Sequence, residues 1–452
     1  MTGPARQAPL DLLGVGVGPF NLSLAALASS VPELSAAFLD RLPEFRWHPG
    51  LMIEGATVQV PFLADLVSLV QPAHPLSFLS YLADVERLFP FYFAERLHVD
   101  RTEYDDYLRW ASKRLPTCRF DTEVAGVDWS AEHNAFVVDA VSAGTPTRLL
   151  ANNIVLGIGT TPSVPDALRP LVADPDALVL HSADYLDHRG ALADAKEVVV
   201  IGSGQSGAEV FLDLLRRRPV GRERLRWFAR TSALAPMEYS KLGLEHFTPD
   251  YTRFFHGLPE PVRSKLVDAQ WQLYKGISAE TMAEIHDELY RRSVHCGWPD
   301  VAITPGVEVR TARQAGGRYE LGLDHVQDNG TRTVTADGIV LSTGYTERAL
   351  DQLLGPLNER SRRDEAGRLV VDADYRVRLD PAISGALFVQ NAEKHTHGVG
   401  TPDLGLGAWR AATILNSICA REVFRLPKRT AFTRFGLAQT PCCQREEGEA
   451  GS

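Results

Sequence analysis

The apolar positions of this 452-residue chain fall into short unbroken runs, each followed by helical spacing, the pattern of buried parallel strands with crossover helices. Twice such a run breaks into glycines. Near the N-terminus Asp11–Gly16 predicts a strand, Gly16-x-Gly18-x-x-Asn21 a turn stiffened by Pro19, and Leu22–Leu27 the start of a helix. About 185 residues later the strand of "VVVIGSGQSGAEVFL" runs into Gly202-x-Gly204-x-x-Gly207 and a second helix. Between the two, Ala36–Leu39 predicts a strand, Ser77–Trp110 reads as helical with Tyr104, Tyr107, Leu108 and Ala111 on a core face, and Arg119–Ala151 reads as strands with turn signals. The run "NNIVLGIGTTPSVP" then predicts an apolar strand ending at Gly159. Trp47–Leu69 has neither period and is crowded with aromatic, Gly and Pro residues; irregular chain this apolar commonly lines a site.

Past the second fingerprint, "LRWFART" predicts a strand ending in Arg230, and Met237–Trp298 a helical insertion with Met282, Ile285 and Leu289 on one face and Ser278 as cap. A strand over Asp337–Tyr345 breaks at Gly344, and "LFVQNAEKHTHGVGTPDLGLGAWRAATILN" supplies a last strand, a Gly-rich turn and a helix. The expected organisation is α/β, with two Rossmann-like dinucleotide-binding domains and a small helical substrate domain. The first comprises 1–165 and 335–438, the second 166–236 and 300–334, the insertion 237–299, and a disordered tail 439–452.

Composition removes several function classes. The formal net charge of −10 argues against a nucleic-acid surface. No apolar run reaches the ~18 residues of a membrane span, and the first residues lack the apolar stretch of a signal peptide, so a cytoplasmic protein is expected. Cys118, Cys296, Cys419, Cys442 and Cys443 have no metal-ligand spacing, and no metal is expected. They read as free thiols.

A single glycine fingerprint is weak evidence; two in strand-turn-helix context imply two dinucleotides and electron transfer between them. The glycines let the backbone approach a pyrophosphate, whose charge then sits at a helix N-terminus. Asp40, about 24 residues past Gly16 at a strand end, suits a ribose diol, so FAD or NAD belongs at the first site. Arg230 stands where an acid would bind that diol at the second site. An arginine there suits a 2′-phosphate, hence NADPH.

The ordered set "GVGVGPFNL", "WHPG", "QVPFLADL", "VIGSGQSGAE", "STGY" and "HTHGVGTPDLGLGAWR" resembles the flavin-dependent N-hydroxylating monooxygenases of siderophore biosynthesis, the lysine and ornithine N-hydroxylases, from about Leu10 to Leu437. That resemblance implies FAD at the first fingerprint, NADPH at the second, and transfer of one oxygen from a flavin hydroperoxide to a terminal primary amine. It places Trp47, His48 and Gln59 near the flavin ring, with Gln59 and His48 the candidates for a catalytic role. It sets Gln205 and Ser206 beside NADPH, gives Arg230 the 2′-phosphate, and puts Gly344, Tyr345, Asp403, Leu404 and Gly405 at the cofactors. The partners it implies are the amine and dioxygen, in a homo-oligomer, tetrameric in relatives.

One departure bears on the substrate. Members that oxidise ornithine or lysine read "FLKDL", with a lysine that pairs the substrate carboxylate; here the motif is "FLADL" with Ala64, and Leu244 and Leu273 stand where asparagines hold ornithine's α-groups. A carboxylate buried without its cation costs several kcal/mol. An aliphatic diamine, putrescine or cadaverine, is therefore expected, and "RLFPFYFAER" and "KLGLEHFTPDYTRFFHGLPE" also resemble the diamine branch. Glu245 is placed at the substrate, and Glu238, Glu245, Asp250 and Asp403 are the candidates for holding the distal ammonium. The alternative is that Lys241 or Lys275 replaces the missing cation and the substrate is L-lysine or L-ornithine. A disulfide or ferredoxin reductase would want a Cys-x-x-Cys or a basic docking face, neither of which is present, and a non-catalytic nucleotide sensor would not need the flavin-lining segments.

Overall fold

Both fingerprints sit at the C-terminal edge of a central strand in an all-parallel sheet, the position from which a glycine turn can hand the chain to a helix. The computed structural model describes residues 8–437; the expected tail and Cys442 and Cys443 lie outside the described residues. In the first sheet the strand order is Ala386–Val389, Asn153–Leu156, Leu12–Val15, Ala36–Leu39 and Cys118–Arg119. The second runs Val301–Pro305, Leu225–Ala229, Val198–Ile201, Gly338–Leu341 and Val179–His181. Leu12–Val15 and Val198–Ile201 are buried at every position, as strands covered on both faces must be.

The two nucleotide domains grow by the same plan. Each parallel sheet is followed by a three-stranded antiparallel sheet, Thr122–Ser130 to Thr145–Ala151 in the first and Val307–Ala315 to Thr331–Ala336 in the second. From there the chain returns to the middle of its own parallel sheet, through Asn153–Leu156 and through Gly338–Leu341. This return corrects the expected boundary at 335. Gly338–Leu341 is buried throughout and pairs with Val198–Ile201 on one side and Val179–His181 on the other, so it belongs to the second domain. The crossings back and forth between domains pair as a short antiparallel ribbon, Thr160–Pro162 with Tyr345–Glu347.

The helical stretch expected over Ser77–Trp110 is three helices, Phe78–Asp84, Leu88–Ala94 and Arg101–Ser112. Glu86 and Glu95 take left-handed conformations (φ 59° and 51°) that end the first two. The third buries the expected face, with Tyr104, Tyr107, Leu108 and Ala111 all at 2% exposure or less. Each large side chain so buried contributes about 1.5–3 kcal/mol.

The insertion folds as Leu244–Phe247, Pro249–His256, Glu260–Ala269, Gln272–Lys275 and Ala279–Cys296, the last capped by the Ser278 hydroxyl accepting from the Thr281 amide. Cys118 and Cys419 are free thiols. Among the described residues no helix is long and apolar enough to cross a membrane, and no cluster of His, Cys, Asp and Glu has the makings of a metal site.

Candidate active site

The first fingerprint is built to leave amides open. Gly16 has φ 86°, and a Cβ there would stand 2.5 Å from the Gly157 carbonyl oxygen. Gly18 caps the ten-residue helix Pro19–Ala28 with no side chain of its own on the first amides, which leaves an anion-binding terminus. Asn21, in the third-glycine place, turns inward. It is fully buried, donates to the Gly16 carbonyl at 2.8 Å and accepts from Gln390 Nε2 at 2.7 Å, tying the turn to the far edge of the sheet. Asp40 accepts from the Val17 and Leu42 amides at 2.7 and 2.9 Å, so it shapes the turn and keeps free lone pairs at the strand end.

At the second fingerprint Gly202 has φ 138°, and its missing Cβ would lie 2.0 Å from the Ser342 carbonyl oxygen. Gly204 caps Gln205–Arg217, again without a side-chain partner, and Gly207 lets the helix approach the Gly202 carbonyl. Arg230, one residue past Leu225–Ala229, is exposed and makes no hydrogen bond or ion pair among the described residues. Ser206 is half-buried on the first turn of the helix. Gln205, expected beside a nucleotide, is engaged on the insertion: its amide donates to Glu209 (3.0 Å) and Thr281 (2.9 Å), and its carbonyl accepts from the Ser278 amide (2.8 Å).

Between the fingerprints runs a row of rings. Tyr104 lies 5.5 Å from Trp47, Trp47 5.3 Å from His48, His48 5.9 Å from Tyr345, and Tyr345 5.0 Å from His181. His48 is left-handed (φ 45°) and exposed to solvent, with the Trp47 and Tyr345 rings crowding it. That crowding, and then the Arg101 guanidinium, hold its imidazole down to about 4, so it is neutral at physiological pH. Burial pushes the Tyr345 hydroxyl up to about 12. Gln59 Nε2 and the hydroxyl of Tyr345 in this row are buried without a hydrogen-bond partner, which leaves both with donor capacity to spare.

Beyond the row, Ala64 is buried, its carbonyl accepts from the Tyr104 hydroxyl at 2.7 Å, and its Cβ lies 3.9 Å from where a Gly405 Cβ would be. Asp403 caps the turn Leu404–Leu406 through the Gly405 amide (2.7 Å). Burial raises its carboxyl to about 6, against the lowering pull of the Gly405 amide and Arg410, and it is felt by Tyr104 and Tyr239. Leu273 is buried with Tyr251, Phe255 and Val399 close by.

The other expected substrate residues are either committed to partners within the chain or exposed. Glu245 is committed to the C-terminal segment, accepting from the amides of Phe432 (2.9 Å) and Thr433 (2.8 Å) and from the Thr433 hydroxyl. Asp250 holds the amides of Thr430 (2.6 Å) and Ala431 (2.9 Å) and pairs with Arg253, while Glu238 is spent on the Ser240 amide. Leu244 is exposed. Lys241 is also exposed, and Lys275 lies 5.3 Å from the Tyr274 ring, which it shares with Lys394.

Sequence reasoning missed Arg101, which reaches Glu209 across the domains with bonds of 2.8 and 3.0 Å and also bonds the Leu51 carbonyl. No spacing signals such a pair.

The family model for L-lysine 6-monooxygenase/L-ornithine 5-monooxygenase matches residues 8–347. The rhizobactin siderophore biosynthesis protein of Rhizobium meliloti is 45% identical, over 94% of this chain and 95% of its own. A putrescine N-hydroxylase of Shewanella oneidensis is 35% identical over 100% of this chain and 90% of its own. The FAD-bound cadaverine monooxygenase of the desferrioxamine pathway of Erwinia amylovora superposes with a TM-score of 0.89 at 34% identity, covering 96% of this chain and 100% of that one.

Proposed function

This chain belongs to the L-lysine 6-monooxygenase/L-ornithine 5-monooxygenase family, and on that footing we propose that it N-hydroxylates one terminal amine of an aliphatic diamine, putrescine or cadaverine, with FAD, NADPH and dioxygen, for hydroxamate siderophore assembly. The observation that carries the substrate is the pairing of buried Ala64 with Asp403 across Gly405. Where amino-acid-oxidising members hold a cation for a carboxylate, this site offers an acid and a methyl group.

The residues present fit both cofactors. Gly16, Gly18 and Pro19 would take the FAD pyrophosphate on the open helix terminus, Asp40 the ribose, and Trp47, His48, Gln59, Tyr345, Leu404 and Gly405 the ring, with Gln59 Nε2 a buried donor lacking a partner. Gly202, Gly204, Ser206 and Gly207 would take NADPH, with exposed Arg230 on its 2′-phosphate. FAD supplies the activation of dioxygen: one oxygen atom ends on the amine nitrogen, the other leaves as water, and NADPH gives the two electrons.

The chain's own residues then have distinct tasks. Asp403 holds the distal ammonium. The near amine must lose its proton to attack, because an ammonium has no lone pair, and burial beside Tyr104 and Ala64 lowers its pKa from about 10.4. Neutral His48 binds and orients without placing a positive charge beside the reacting amine. Buried Tyr104 and Ala64 limit the water around the oxidant on their side of the site.

The test is the FAD-loaded enzyme with NADPH and one amine at a time, assayed for hydroxylamine. Product from putrescine or cadaverine is expected. Product from lysine or ornithine with none from diamines overturns the substrate, and NADPH oxidation with no amine giving product overturns the reaction.

A further inference from the structure

The helix Leu88–Ala94 buries none of its residues. Phe91 turns inward, 5.2 Å from Phe62 and 5.6 Å from Phe78. The opposite face is apolar and open: Leu88 is 40% exposed, Phe89 77%, Tyr92 70% and Phe93 74%, and Leu97 just beyond the helix is 54% exposed. Helical spacing sets Phe89 beside Tyr92 and Phe93, and the Tyr92 and Phe93 rings touch at 5.1 Å. At roughly 150–250 Å² per aromatic side chain, these three rings alone present on the order of 400 Å². The largest apolar patch of a typical monomer is about 300–600 Å² in all, so this one is large before the leucines are added.

We propose that this face is where two copies of the chain meet, helix Leu88–Ala94 lying antiparallel on the same helix of its partner about a two-fold axis. Area and charge both favour a second copy. A standard interface covers about 800 Å² per partner, an apolar centre within a polar rim, and three rings flanked by two leucines make such a centre. The helix is bracketed by the same pair of charges at each end, Glu86–Arg87 and Glu95–Arg96. A two-fold contact must be self-complementary, and antiparallel pairing brings the acid and base of one end beside the base and acid of the other. Glu86 and Glu95 have no ion pair among the described residues, while Arg87 pairs with Glu103 at 2.9 Å and Arg96 with Asp100 at 3.6 Å; both arginines are more than half exposed, so the free acids of one copy would share them with the acids that hold them in the other. A lipid surface, by contrast, would favour basic residues without equal acids among them.

The face is also joined to the candidate site. Directly after the helix, the Leu97 carbonyl accepts from the Phe62 amide and the Val99 carbonyl from the Val58 amide, each at 2.9 Å. These bonds hold the segment that carries Gln59 and leads into Ala64, so a partner on the helix braces that segment from behind.

The experiment is the mass of the FAD-loaded, full-length protein by light scattering and sedimentation at micromolar concentration. The wild type is expected at two protomers or a multiple of two. The double substitution Phe89→Glu with Phe93→Glu, at exposed positions, is expected to fall to half that mass or less with the flavin spectrum kept. Glu86→Arg with Glu95→Arg, which makes both ends basic, serves as the second variant and is expected to weaken association at least tenfold in Kd. A wild type of one-protomer mass overturns the proposal, and so does an undiminished mass in both variants. A one-protomer wild type that co-sediments with phosphatidylcholine vesicles assigns the face to lipid instead.

Discussion

Arg101 and Glu209 form a bidentate ion pair, 2.8 and 3.0 Å, between a helix of the first nucleotide domain and the fingerprint helix of the second, with side chains 13% and 6% exposed. Glu209 also accepts from Gln205, whose other end holds the cap of the insertion's long helix. One carboxylate thus fastens three parts of the chain.

Removing one partner of such a pair leaves an uncompensated charge out of water, at a cost of about 3–5 kcal/mol, whereas replacing both with apolar groups is often near neutral. Glu209→Ala should therefore lower Tm strongly, and Arg101→Met combined with Glu209→Leu should recover most of the loss. A double variant as unstable as the single one would show that the pairing is not what fastens the domains.

Ala64→Lys should raise the KM for putrescine and cadaverine at least about tenfold, or ~1.4 kcal/mol, by setting a cation beside the acid meant for the substrate. The site is buried and close to Gly405, so bulk alone could disturb it. Ala64→Met supplies similar length without charge. Equal damage from Met and Lys would reject the electrostatic account of this position.

What the sequence made legible was local. Both fingerprints, the Ser278 cap and the Tyr104–Ala111 core face follow from spacing, and spacing is a property of neighbouring residues. The remainder depends on partners far along the chain. Glu245 and Asp250 read as candidates for an ammonium until Thr433 and Thr430, about 180 residues on, are seen to occupy them. Asn21 and Gln390 are joined across 369 positions. The breaks at Glu86 and Glu95 were hidden for another reason, because these exposed left-handed residues sit where backbone bonds close a helix end, as the Arg87 amide does on the Leu82 carbonyl at 2.8 Å, and leave no mark in composition.

Arg230→Ala should raise the KM for NADPH about 10–100-fold and leave that for NADH almost unchanged. Hydrogen bonds to a charged group contribute about 1.5–3 kcal/mol, and only NADPH carries the 2′-phosphate that receives them. Steady-state NAD(P)H oxidation measures both constants. Arg230 is exposed and bonded to nothing among the described residues, so the variant should fold unchanged. An equal shift for both nucleotides would remove the 2′-phosphate role.

Asp403 predicts a pH dependence with a defined sign. Burial raises its carboxyl from 3.8 to about 6, so the folded protein holds that proton more tightly than the unfolded chain does. Ionising it therefore costs stability as pH rises from about 4 to about 6, while the anion needed for an ammonium exists only above about 6. The KM for putrescine should climb up to about tenfold per pH unit as pH falls below 6, and Asp403→Asn should abolish that limb while raising the KM at pH 8. Asparagine keeps an oxygen for the Gly405 amide, so the turn survives. The variant should then be at least as stable as the wild type at pH 8 and yet bind the diamine worse. A merely structural carboxylate would not produce that combination: a variant that loses Tm and keeps its KM would take Asp403 out of the substrate site.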